Sequence, residues 1–111
     1  MKENTVPVAE VTAEMIEAWK KKHGEVFKVT VDKDLPTEKN AYVRKPNRKE
    51  LSYAMAASNG GKDIIAMQEA LIRNCWLGGD LEMQTQDEYF FALADKVSEL
   101  MQKKEGELVK L

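Results

Sequence analysis

Residues 63–79, DIIAMQEALIRNCWLGG, limit most strongly what this chain can become. Their apolar positions follow a helical period. At ~100° per residue, Ile64, Met67, Leu71 and Cys75 share one side, and Ile65, Ile72 and Trp76 share the adjoining side. Together they cover about half the circumference, wider than the stripe a surface helix turns to a single neighbour. The pattern predicts a central helix packed against two others. Glu69 and Arg73, four apart with the acid first, mark its wet side. Asp63 is the expected N-cap and Gly78 the expected left-handed stop.

The flanking sequence supplies partners for that helix. Residues 1–11 are expected to be a flexible arm, because Pro7 breaks an early helix and Val6 and Val8 are too few to bury much. Residues 12–111 are expected to form a single α+β domain with a helical C-terminal body. Thr12 offers an N-cap for a first helix over residues 13–23, with Met15, Ile16 and Trp19 inward and Lys20, Lys21, Lys22 and His23 crowding its last turn, where cations suit the helix dipole. Phe27, Val29 and Val31 alternate with Lys28 and Thr30, which predicts a half-buried strand. A second extended run covers residues 40–45, with Tyr42 and Arg44 opposite in facing to Ala41 and Val43. The connection between the two is too short for a parallel crossover, so an antiparallel hairpin is expected.

Three helices should follow. Asn47 and Glu50 make a loose capping box for residues 48–58, with Leu51, Ala54 and Met55 inward. The central helix comes next. A loop over residues 78–84 then has an alternating stretch around Leu81 and Met83. Thr85 and Glu88 make a clearer capping box for a last helix reaching Lys104, with Phe90, Leu93, Val97, Leu100 and Met101 inward.

Sites of chemistry are scarce. His23 is the one histidine and lies in a lysine-rich helix end, where partnering the dipole is its expected role. Cys75 is the one cysteine, so no disulfide forms within the chain, and its place among apolar residues predicts a buried, inert thiol. One His and one Cys do not make a structural zinc site. Gly60-Gly61-Lys62 lacks the spacing of a phosphate loop, and Asp80, Glu82, Asp87 and Glu88 lack the order of a calcium loop. The chain is therefore expected to be neither an enzyme nor dependent on a cofactor or metal. No apolar run approaches ~20 residues and the N-terminus has no apolar leader, which predicts a protein without a membrane span in the cytoplasm.

Charge is nearly balanced at −2 but unevenly spread. Residues 20–49 carry ten basic and four acidic side chains, and residues 50–111 carry six and eleven. The basic middle is read as a solvated face. The alternative is a nucleic-acid-binding or regulatory accessory protein of a mobile element, with Tyr42, Arg44, Lys45, Arg48 and Lys49 lining a basic edge. The slightly acidic whole argues against it.

Two strings carry a resemblance. Tyr42-Val43-Arg44-Lys45-Pro46 ends a strand and opens a helix. Some thirty residues on comes Leu71-Ile72-Arg73-Asn74-Cys75-Trp76-Leu77-Gly78-Gly79-Asp80, then an acidic cap and the last helix. With the Trp-Lys-Lys helix upstream, this layout resembles the small tail assembly chaperones of long-tailed phages and prophages, over roughly Trp19 to Leu100. The resemblance implies a non-enzymatic protein of the host cytoplasm that attends the tape-measure protein and helps tail-tube subunits assemble around it. It supplies no catalytic residues.

The last helix also suggests where a protein partner or a second copy docks. Tyr89, Phe90 and Phe91 are consecutive and cannot share a face. Phe90 belongs with Leu93, Val97 and Met101. Tyr89 falls at the edge of that group, and Phe91 aligns with Asp95, Ser98 and Gln102 on the polar side. Phe91, with Tyr89 beside it, is therefore the expected partner-binding pair.

Overall fold

The computed structural model describes residues 11–101 and 105–111. The expected arm lies outside them except for Val11. Thr12 accepts a hydrogen bond from the Met15 N–H at 3.1 Å and starts α1 (Ala13–His23), which Gly24 ends by donating to the Lys20 carbonyl. Met15, Ile16 and Trp19 face inward as the period predicts, but α1 lies on the outside of the fold and buries none of its side chains fully.

The hairpin is antiparallel. β1 (Val26–Val31) pairs with β2 (Lys39–Arg44), Phe27 opposite Val43 and Val29 opposite Ala41. Asp32 and Asp34 adopt positive φ in the turn, a conformation their short polar side chains tolerate. β2 is buried along four consecutive residues, Asn40 to Val43, so both of its faces are covered. On one face Tyr42 lies 5.9 Å, ring to ring, from Trp19 of α1. Ala41 and Val43, opposite in facing, join the main core.

A third strand is the main departure from expectation. The central helix, α3 (Ile64–Cys75), stops before Trp76, and Gly78 is not its cap. Trp76 turns to extended backbone and begins β3 (Trp76–Gly79), which adds antiparallel to the other side of β2 and makes the order β1-β2-β3. Leu77 is skipped in the pairing, a bulge between the Tyr42–Gly78 and Val43–Trp76 pairs. The Asp80 N–H donates to the Asn40 carbonyl, and the Asn40 N–H donates back to the Asp80 carboxylate, each at 2.8 Å.

Between β2 and α3 lies α2 (Arg48–Ala57), with the Asn47–Glu50 capping box formed in full. Only Ala54 of its expected inner face is buried; Leu51 and Met55 are exposed. After β3 comes a single helical turn, α4 (Glu82–Thr85), where alternation around Leu81 and Met83 had suggested an extended piece. Met83 is driven fully into the core by it. The last helix is α5 (Asp87–Glu99), shorter than expected. The expected Thr85–Glu88 capping box is absent, because Thr85 already belongs to α4 and Gln86 takes the cap position without a side-chain bond. Residues 102–104 lie outside the described ones.

The main core joins the sheet to α3, α4 and α5 through Val43, Ile72, Cys75, Met83, Phe90, Leu93 and Val97. A smaller cluster of Ala54, Ala70 and Leu71 joins α2 to α3, flanked by Met67 and Met101. The central helix thus does serve two sides. Its first turn does not, since Ile64 and Ile65 extend past both neighbours into water.

Gly79 holds the close approach of β3 to β2. It has φ +137°, and a Cβ there would sit 2.5 Å from the Asn40 carbonyl oxygen and 2.7 Å from the Ala41 Cα. Both are backbone atoms of the central strand and cannot step aside. Gly79→Ala is expected to cost about 2–4 kcal/mol in chemical denaturation, whereas Gly60→Ala, with open space around its Cβ, should cost less, reflecting only its positive φ.

Candidate protein-binding surface

The two strings that stood apart in sequence meet in space. Arg44, the last residue of β2, donates to the Glu50 carboxylate with both terminal guanidinium nitrogens, Nη1 at 2.9 Å, and Nη2 also donates to the Asn74 carbonyl at 2.7 Å. Glu50 in turn accepts from the Asn47 N–H at 3.0 Å, and Asn47 accepts from the Glu50 N–H at 2.9 Å. One side chain therefore fastens the end of the sheet to the start of α2 and the end of α3. The pair is mostly shielded from solvent, with side-chain exposures of 18% and 16%. The guanidinium holds the Glu50 carboxyl below the usual carboxylate range against the opposing effect of burial, and Glu50 raises Arg44.

This junction has consequences for the basic edge. Arg44 is committed to Glu50 and Asn74, and Tyr42 is buried beneath Trp19 with the Lys28 ammonium 5.8 Å above its ring. Only Lys45, Arg48 and Lys49 of the five candidate residues stand in solvent. Tyr42 and Arg44 therefore share no solvent-facing surface with these three cations.

The reactive candidates sit in plain structural surroundings. Cys75 is fully buried, and burial pushes its thiol up to about 12, far from a working nucleophile at neutral pH. His23 is exposed at the end of α1. Desolvation, then Arg44, lowers its pKa. Asp80 is spent on the β2–β3 ladder. Among the described residues no group of three or more His, Cys, Asp or Glu side chains is placed to hold a metal ion, and no helix is long and apolar enough to cross a membrane.

What the fold does present is apolar surface along one flank of the helices. A small cavity of about 60 Å³ lies between α3 and α5, lined by Met67, Leu71 and Ile72 on one wall and Ala94, Val97 and Met101 on the other. Met101 also lines a second depression, with Pro46 and Leu51 at the start of α2 and Lys45 and Arg48 on its rim. Ile64 stands 59% exposed one turn before Met67. The thioethers are flexible and polarisable, so such a surface adapts to more than one apolar partner.

Phe91 stands 51% exposed on α5, its ring 5.5 Å from Phe90 in an edge-on arrangement. It lies seven residues before Ser98, which lines the α3–α5 cavity, and so on the same side of the helix. Tyr89 differs from expectation. It is only 9% exposed, and its hydroxyl donates to the Thr37 carbonyl at 2.6 Å, tying the hairpin turn to α5. Tyr89 is thus part of the core packing, and Phe91 is the member of the expected pair that stands in solvent.

No family model, no curated protein and no solved structure matches the chain.

Because the Glu50 carboxyl is depressed in the fold, its contribution to stability is complete above its ordinary value of 4.5 and is lost as pH falls through the lower folded value. Glu50→Gln keeps an acceptor for the Asn47 N–H but removes the charge. It is expected to lower stability at pH 7 by about 1.5–3 kcal/mol and to make stability fall less steeply below pH 4.5, read from denaturant midpoints across pH.

Proposed function

We propose that this protein is a non-enzymatic, protein-binding assembly factor, of the kind its sequence resembles: a small phage or prophage tail assembly chaperone. The observation that carries the binding role is the apolar flank of α2, α3 and α5, where Leu51, Ile64, Met67, Phe91 and Met101 contact solvent or line shallow depressions. Partly exposed methionine, leucine and phenylalanine offer recoverable hydrophobic free energy, ~1.5–3 kcal/mol for a fully covered side chain. That suits transient capture of apolar segments in a client still being assembled. The tape-measure protein and the tail-tube subunits are the proposed clients, and the host cytoplasm the proposed location.

The resemblance gains one physical support. Its two strings meet through Arg44 on the Asn74 carbonyl and through the Tyr42–Gly78 and Val43–Trp76 strand pairs. Residues with so close a mutual dependence would occur together in any chain that keeps this junction. The basic rim at Lys45 and Arg48 beside Leu51 favours acidic amphipathic helices over neutral ones.

Phe91→Ser tests the role. About half the ring is already in water, so melting should shift little, about 1 kcal/mol or less. Capture of the tape-measure protein from induced cells should weaken at least tenfold in apparent affinity. Unchanged capture with an intact fold, or collapse of the fold, would remove Phe91 from the binding surface.

A further inference from the structure

Of the five asparagines in the chain, only Asn59 is followed by glycine. The pair stands just past the end of α2, in the turn that leads to α3. Asn59 has φ +57° and Gly60 φ +73°, and both residues are exposed. The Gly60 N–H donates to the Met55 carbonyl at 2.8 Å, the bond that closes a helix end when the residue before it is left-handed. Glycine is the usual residue at that left-handed position, and asparagine is the substitute that tolerates it.

The rest of the turn is tied to Ser58, which is 1% exposed. Its hydroxyl donates to the Ala54 carbonyl at 2.7 Å and accepts from the Gly61 N–H at 3.1 Å. Its carbonyl accepts from the N–H of Asp63, the N-cap of α3, at 3.0 Å. One turn therefore sets the end of α2 against the start of α3, and the Asn59–Gly60 peptide bond lies inside it.

An Asn-Gly pair has a chemistry of its own in water. When the glycine amide nitrogen gives its proton to hydroxide, it can attack the asparagine side-chain carbonyl carbon. The N–C bond that forms closes a succinimide ring, and the side-chain amide nitrogen takes a proton from water and leaves as ammonia. Water then adds to one ring carbonyl and breaks its bond to nitrogen. Opening at the former side-chain carbonyl gives aspartate. Opening at the main-chain carbonyl gives isoaspartate, in which the chain runs through Cβ. The net change is water in and ammonia out, with nothing oxidised or reduced.

We propose that Asn59 is a deamidation site whose rate is set by opening of the α2–α3 turn. Access is not the barrier. Asn59 stands in solvent, and among the described residues a Cβ built at Gly60 meets no atom within 4 Å. The bond to Met55 is what holds the reaction back, because the attacking nitrogen keeps its proton and its direction while it donates. Opening of the turn frees that nitrogen. The product does not fit back. Isoaspartate lengthens the chain inside the turn, so the Gly60 N–H loses its register with Met55. Either product also puts a carboxylate at the C-terminal end of α2, where the helix dipole disfavours negative charge. Beyond the Arg44–Glu50 junction at its start, α2 is held by one buried side chain, Ala54, so the end of α2 depends on this turn.

The test incubates the full chain at mildly alkaline pH, folded and in guanidinium chloride. Aspartate and isoaspartate at position 59 are followed by peptide mass and by chromatographic separation of the two. The folded chain should convert about tenfold or more slowly than the unfolded chain. Ser58→Ala removes a donor and an acceptor from the turn. It should raise the folded rate by about threefold or more and leave the unfolded rate unchanged. Asn59→Gly should give no product there and unfold at no lower denaturant concentration. The isoaspartate form, once separated, should unfold at lower denaturant than Asn59→Asp, which shares its charge but not its lengthened chain. Equal rates in the folded and unfolded chain overturn the proposal, and so does the absence of conversion at Asn59 in both. That comparison uses the natural chain and stands whatever the stability of Ser58→Ala. A folded Ser58→Ala protein that converts at the natural rate, or an isoaspartate form as stable as the natural chain, also overturns it.

Discussion

Arg44 is the residue on which the arrangement of this protein turns. The end of the central strand, a helix start and a helix end approach one another at its guanidinium, and each helix brings a group that needs a donor or a charge partner. The Glu50 carboxylate accepts from both terminal nitrogens, and the Asn74 carbonyl, at a helix end where backbone acceptors lack partners, accepts a third bond. Lysine could neutralise Glu50 but could not fork across both oxygens and reach Asn74 from one planar group. Pro46 is buried beside this point and disfavours helix at Lys45, so the chain turns from β2 into α2.

From that junction the rest follows in two directions. Toward the sheet, the end of α3 is fixed where β3 must begin, and Gly79 and Asp80 are delivered to Asn40. Asn40 is itself buried with every polar atom engaged: Thr30 donates to its side-chain oxygen at 2.6 Å and its amide donates to Glu38 at 2.9 Å. Toward the helices, α2 is laid on α3 through Ala54, packed on Ala70 and Leu71. α2 contributes only one buried side chain, Ala54, to this contact. This leaves Leu51, Met55 and the first turn of α3 without cover, and the adaptable apolar flank is the result.

The parts of this fold that local chemistry decides were legible in the sequence. Thr12, Asn47 and Asp63 cap their helices, each with the expected bond to a backbone N–H. The alternation at Phe27, Val29 and Val31 marks β1, and the α+β class follows. Features set by distant contacts were not legible. Trp76 continues the helical period of α3, and only the open side of β2 makes it extended. Thr85 and Glu88 have the spacing of a capping box, but the burial of Met83 in α4 takes Thr85 first. Tyr89 looked like an edge residue because its hydroxyl partner, the Thr37 carbonyl, lies 52 positions away. For the candidate surface, Phe91 was visible from its polar neighbours on the wheel. The exposure of Ile64 and Leu51 was not, since each follows an apolar stripe that simply outruns the neighbours it packs against.

The central claim is that Arg44 and Glu50 act as one unit holding β2, α2 and α3 together. A double-mutant cycle with Arg44→Met and Glu50→Gln, measured by denaturant unfolding at pH 7, tests it most directly. The predicted result is that each single change costs about 1.5–3 kcal/mol and that the double change costs little more than either, a coupling of at least ~1 kcal/mol. Simple additivity of the two losses would contradict it, because each residue would then be acting through contacts of its own.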